Sequence, residues 1–413
     1  MGWCSYLGRG TQQDEPRANQ LLRESRTAEF PFGESAIHGE ETQCSSSTAT
    51  RFFQLCQLGS SHDWFCKHLV ARCLIGGFGT TKNQQLAVRL LQVLADQGYA
   101  ISHYVLADCY LGGLGVPLDY GKCLQLYRRG AAQGHLWSIL NVGFRYAKGQ
   151  GVPNDMTQAA EWYRKAAERG MATAQNCLGN CYYDGQGVTQ DYAKAVEWFT
   201  KAANQGNATA QNSLGTCYYD GKGVTQDYAK AVEWFTKSAN QGNADAQNNL
   251  GNCYYNGKGV TQDYAKAVEW FTKAANQGNA TAQNSLGTCY YDGKGVTQDY
   301  AKAVEWYTKA ANQGNADAQN NLGNCYYNGK GVTQDYAKAV EWFTKAANQG
   351  NAWGQNNLGN CYQYGNGVTQ DYAKAVEWFT KAANQGNATA QNNLGDCYYS
   401  GKGVPKNTST ARL

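Results

Sequence analysis

A tryptophan returns every 36 residues along most of this chain, at Trp162, Trp198, Trp234, Trp270, Trp306, Trp342 and Trp378. A cysteine keeps the same interval, at Cys181, Cys217, Cys253, Cys289, Cys325, Cys361 and Cys397. A strict period of this length means one supersecondary unit stacked many times, because a single unit cannot bury its own apolar face. The 413 residues would otherwise imply two or three domains. The period replaces that count with one repeat array, in which each unit contacts only its neighbours.

Residues 207–242 serve as the type unit. A first helix, A, runs from Asn207 to Tyr219, with Ala210, Leu214, Cys217 and Tyr218 at helical spacing on its inward face. Gly215 costs about 1 kcal/mol of helix propensity, which close approach of a partner helix would offset. Asp220-Gly221-Lys222-Gly223-Val224 is the turn, with two glycines free to take positive φ. Asp227 is placed to cap the second helix, B, from Tyr228 to Asn240. Its apolar face is Tyr228, Ala231, Val232, Trp234, Phe235 and Ala239, and Gly242 ends it in a left-handed conformation. Lys230, Glu233 and Lys237 form a solvated strip. The Trp is expected to anchor the core. Burying roughly 150–250 Å² of ring is worth about 4–6 kcal/mol per repeat before entropy.

The set Ala210, Leu214-Gly215, Tyr218, Gly221, Gly223-Val224, Asp227, Ala231, Trp234, Ala239 and Gly242 resembles the Sel-one-like repeat, a relative of the tetratricopeptide repeats. The resemblance implies an all-α fold, a right-handed α-solenoid of antiparallel helix pairs. It also implies adaptor roles, including membrane-protein quality control and signalling, and a concave groove lined by helix A.

The phase extends beyond the tryptophans. Cys109 and Cys73 hold the cysteine position with glycines in step around them, and Arg145 replaces it once. The array is therefore expected over 63–413, about ten units with the last incomplete. Residues 1–25 match the template as a partial repeat, and 26–62 read as a degenerate repeat or loop, the Ser/Thr-rich run Cys44 to Thr50 favouring a loop. Neither end carries a capping unit, so a piece of a longer protein is expected. Residues 207–278 recur almost verbatim as 279–350, which leaves a monotonous surface.

Chemistry is hard to find in these residues. Five histidines occur, at 38, 62, 68, 103 and 135, and none later. Gly251 to Gly259 resembles a phosphate loop superficially, but no Ser or Thr follows the Lys and the glycines follow a helix. Cys177 and Cys181 share a helix face without further ligands, so no metal site is expected. The ladder of cysteines cannot bridge to itself. Neighbouring helices lie about 8–10 Å apart, whereas a disulfide needs Cα atoms within about 7 Å. It reads as packing in a reduced protein, hence a cytoplasmic location. Some cysteine-rich relatives of the family are β-lactamase-like and secreted, but they pair two cysteines per repeat, and no Ser-x-x-Lys occurs here. No catalytic residue and no cofactor is assigned. The sequons at Asn207, Asn279, Asn387 and Asn407 read as polar caps before helix A or, in the last case, as the start of a helix B.

The net charge of +4 shows no basic stripe, which argues against nucleic acid, and no apolar run approaches the roughly 18 residues of a membrane span. A surface therefore remains as the functional candidate. The helix A positions not used for packing repeat Asn and Tyr, notably Asn212, Tyr219, Asn248, Tyr255, Asn284, Tyr291, Asn320 and Tyr327. An Asn amide both donates to and accepts from peptide backbone, and Tyr supplies stiff contact area with a polar tip. The expected partner is a protein or an extended peptide, bound by a non-catalytic scaffold. The alternatives are a regulatory array attached to an enzyme such as a kinase, and polar residues that merely keep the array soluble.

Overall fold

The computed structural model describes residues 47–407, so the partial repeat at 1–25 and most of 26–62 lie outside the described residues. Packing divides the chain into two units, residues 1–210 with 222–224 and residues 211–221 with 225–413. All regular elements of the described residues are helices.

The first unit holds α1 (Ser47–Gly59), α2 (Trp64–Gly76), α3 (Gln84–Asp96), α4 (Ala100–Gly112), α5 (Tyr120–Ala132), α6 (Leu136–Lys148), α7 (Met156–Ala167), α8 (Ala172–Asp184) and α9 (Tyr192–Asn204). The Ser/Thr-rich run thus enters a helix at Ser47 instead of remaining a loop. Asp63 caps α2 by accepting from the Phe65 amide at 2.7 Å. Helix α10 (Ala208–Asp220) crosses the division.

The second unit continues with α11 (Tyr228–Asn240), α12 (Ala244–Asn256), α13 (Tyr264–Asn276), α14 (Ala280–Asp292), α15 (Tyr300–Asn312), α16 (Ala316–Asn328), α17 (Tyr336–Asn348), α18 (Ala352–Tyr364), α19 (Tyr372–Asn384) and α20 (Ala388–Ser400). Within each unit every helix packs chiefly on those before and after it, as a stack of A and B helices requires.

Local chemistry sets these boundaries. Asp263 accepts from the Lys266 amide at 3.0 Å, and this bond holds its carboxyl below the usual carboxylate range. Asn279 caps α14 in the same way, accepting from the Ala282 amide at 2.8 Å. The sequon asparagines Asn207 and Asn387 make the equivalent bonds to Ala210 and Ala390. The turn between A and B needs glycine. Gly259 has φ of 73°, and a Cβ there would stand 2.2 Å from the Tyr228 carbonyl oxygen. Gly251 in α12 has the role the spacing assigns it, since a Cβ would lie 2.6 Å from the Phe271 ring.

The core corrects one expectation. The fully buried aromatic of each B helix is Phe271 or its equivalents Phe235, Phe343 and Phe379, or Tyr307. Phe271 packs with Ala267, Val268, Ala282, Leu286 and Cys289. Trp306, from the next repeat, is only half-buried against that cluster. Each repeating Trp instead carries a lysine three residues on, Lys273 lying 3.9 Å from the Trp270 ring centroid and Lys309 4.0 Å from that of Trp306. The Trp covers the neighbour's core and is itself roofed by its own cation.

Candidate functional site

The A helices place their asparagines against one another more than toward an open groove. Asn249 Nδ2 donates to Asn212 Oδ1 at 3.0 Å, and Asn321 repeats the bond to Asn284 at 3.0 Å. Asn357 donates to Asn320 at 2.9 Å and to Asn324 at 3.3 Å. Of the candidate asparagines, Asn212 and Asn284 are half-buried, while Asn248 and Asn320 are buried. The row is broken at Ser285, which stands where α12, α16, α18 and α20 carry Asn249, Asn321, Asn357 and Asn393. Asn248, 6% exposed, is left with a buried Oδ1 that has no hydrogen-bond partner among the described residues.

The candidate tyrosines also join repeats. Tyr219, Tyr255, Tyr291 and Tyr327 each meet a B-helix tyrosine edge-on with centroids 5.0 Å apart. The next repeat then covers them. Lys294 Nζ donates to the Tyr255 hydroxyl at 2.9 Å, and Asn366 Nδ2 donates to that of Tyr327 at 2.7 Å. Lys258 lies 4.8 Å from the Tyr219 ring centroid, Lys330 5.0 Å from that of Tyr291. Hydrogen bonding to the tyrosine hydroxyls holds Lys258, Lys294 and Lys330 above the ordinary lysine value.

A second row escaped the sequence reading. Gln277 Nε2 donates to Gln247 Oε1 at 2.8 Å, and Gln313 to Gln283 at 2.7 Å. Gln247 in turn donates to the Ala239 carbonyl at 3.1 Å. The signal was available as two glutamines that do not vary from Gln211 onward, one in helix A and one after helix B.

The exposed aromatics were missed as well. Trp353 is 54% exposed and Tyr364 64% exposed, both on α18. Their signal was departure from the repeat, since Thr or Asp holds the Trp353 position elsewhere in the second unit. The A helices from Ala244 onward carry Asp245, Asp292, Asp317 and Asp396 and no Lys or Arg. The B helices of that unit carry two lysines each.

The ladder thiols of this stack are held protonated near neutrality. Burial pushes the Cys253 thiol up to about 11 and those of Cys289, Cys325 and Cys361 up to about 12. No group of three metal-ligating side chains is assembled among the described residues.

The Sel1 repeat model matches residues 1–27, 65–99, 100–135, 138–171, 172–207, 208–243, 244–279, 280–315, 316–351, 354–387 and 388–413. The chain belongs to the Sel1 repeat family. A protective antigen of uropathogenic Escherichia coli, c5321, which displays the same SLR fold, is 36% identical. That match covers 87% of this chain and 85% of the antigen with a TM-score of 0.60. A Sel1 repeat protein from Oxalobacter formigenes is 37% identical over 75% of this chain and 89% of its own, with a TM-score of 0.54. The chain has no match among the curated proteins. Sel1 repeat proteins are generally protein-interaction scaffolds, and the fold is typically non-catalytic. Among the described residues no helix is long and apolar enough to cross a membrane.

Proposed function

We propose that this Sel1 repeat chain is a non-catalytic scaffold that takes an extended segment of a protein partner along the A helices of its second unit. One observation carries the reading. From Tyr192 onward the B helices differ from one another only at Ser238 and Tyr307, both buried. The A helices vary at the positions of Asp245, Asn249, Asn252, Tyr255 and Asn256, all of which reach solvent, and at one buried position, where α18 has Gly354 for Ala. Sequence freedom, and with it the means to discriminate partners, is concentrated on one side of the repeat.

The uncharged amides and the aspartates of that side favour peptide over phosphate as a partner. The buried, protonated thiols support a role without covalent catalysis and a reducing, cytoplasmic setting.

The test must avoid the asparagines that join repeats, because replacing Asn248, Asn284 and Asn320 with Ala would disturb repeat packing and binding together. Lysines at half-buried Asn252 and Thr288 block the face while their heads remain in water. Peptides selected from a random display library on the wild-type chain should lose at least tenfold in affinity for Asn252→Lys/Thr288→Lys. A Glu233→Lys control on helix B should bind normally, with similar melting for all three. Equal binding by the double variant, or failure of any peptide to enrich, would remove the reading.

A further inference from the structure

One repeat of the second unit breaks the monotony in a coordinated way. Its B helix, α19, is identical to α13 and α17, yet its A helix, α18, carries Trp353, Gly354, Gln363 and Tyr364 where the pattern has other residues. Trp353 and Tyr364 are 11 residues apart, within about 20° of three full helical turns, so they share a face roughly 16 Å apart along the axis.

The backbone has adjusted to this change. At Gly354 a Cβ would stand 2.7 Å from the Ala346 Cβ, although Ala246 and Ala318 fit at the same position of α12 and α16. The first turn of α18 therefore sits closer on its neighbour while it turns the indole outward. Asn351 fixes that turn. Its Oδ1 accepts from the Gly354 amide at 2.7 Å, and its Nδ2 donates to Asp317 Oδ1 at 2.7 Å. The exposed Asp317 carboxylate is thus tied to the entrance of the helix that displays Trp353, with Oδ2 accepting no hydrogen bond among the described residues. Its charge also offsets the positive end of that helix.

The chain supplies the precedent for what an indole in this fold takes. From Trp162 to Trp378, every repeating Trp has a lysine ammonium 3.9–4.1 Å from its ring centroid. Trp353 has no cation of its own among the described residues, and Asn356 and Asn357 occupy the positions three and four residues on.

Resting on the scaffold reading, we propose that Trp353 and Asp317 read an arginine side chain of the bound segment. The guanidinium stacks on the exposed indole and donates to Asp317 Oδ2, while the segment runs on over the asparagines toward Tyr364. A planar guanidinium satisfies both contacts at once, which a lysine ammonium does less well. About five extended residues span the interval between the two rings.

The full chain labelled with 5-fluorotryptophan tests this by fluorine NMR, with the Trp353 resonance assigned by its loss in Trp353→Phe. The probes are acetyl-Gly-Arg-Gly-amide and the same peptide with lysine or with neutral citrulline. The Trp353 resonance should shift saturably with the arginine probe, at least threefold more tightly than with lysine and at least tenfold more tightly than with citrulline. Asp317→Asn should abolish the preference over citrulline. An unmoved Trp353 resonance, equal response to citrulline, or an unchanged preference in Asp317→Asn would overturn the proposal. If library peptides bind the A helices while this resonance stays still, the arginine site falls and the scaffold reading stands. If no library peptide enriches but the resonance responds as stated, the reverse holds.

Discussion

Between Trp64 and Ala167 the buried side chains include His68, Arg72, His103, His135 and Arg145, whereas among the described residues from Tyr228 onward the buried polar side chains are Asn, Gln and Ser238 alone. Both regions repeat the same helix pair, but they fill its interior with different chemistry. In the first, His68 meets Ser102 Oγ at 3.2 Å, and His135 meets Ser138 Oγ at 2.9 Å. Arg145 takes the place of a ladder cysteine, 4% exposed, with Nε and Nη1 lacking partners. In the second, amides pair along the stack in neutral rows. A neutral amide row costs little to extend by another copy, because each new amide finds a partner in the preceding repeat. A buried ionisable group has no such register and binds its repeat to one setting.

The largest expected contrast is with acid. Burial pushes His68 and His135 down to about 3, against about 6.5 unfolded. Between those values the unfolded chain binds more protons, so their contribution is intact above pH 6.5 and is lost as pH falls toward 3. At pH 4 this amounts to on the order of 3 kcal/mol each. Brief pepsin exposure at pH 4 should cut first within 64–171. Initial cleavage within 244–400 would break the comparison.

A smaller effect separates the two aromatics of helix B. Phe271→Ala should cost about 3–5 kcal/mol, and Trp270→Ala about 2 kcal/mol, because only the first empties a sealed site. Urea melts of the two variants decide it, and a larger loss for the Trp would restore the anchor expected from the period.

Removing a buried, half-partnered charge should help the first region. Arg145→Met is expected to stabilise by about 1–3 kcal/mol, read as a raised denaturation midpoint, and a lowered midpoint would show that the guanidinium is satisfied in solution. The smallest change completes the amide row of the second region. Ser285→Asn offers a donor to Asn248 Oδ1 and should add about 1 kcal/mol, checked by thermal melting against the wild type.

The helix pair and its punctuation were legible residue by residue. Helix B was expected at Tyr228 to Asn240 and occupies those residues, with Asp227 as its cap. The spacing makes Gly215 a point of close approach, and Gly215 and its equivalent Gly251 both face a Phe ring. The candidate binding residues were less legible. Asn320 and Tyr327 have the composition of a recognition surface, but spacing within one repeat does not show that Asn357 and Asn366 of the next repeat already bond to them.

The sequence by itself determined the period, the helix limits, the turns and the family, because these follow from contacts within about one repeat. Tertiary structure decided which aromatic is sealed, which amides are spent between repeats, and which indole lacks a cation. Those outcomes depend on side chains brought together from separate repeats or opposite ends of a turn, and a one-dimensional pattern assigns the same letter to the buried and the exposed copy.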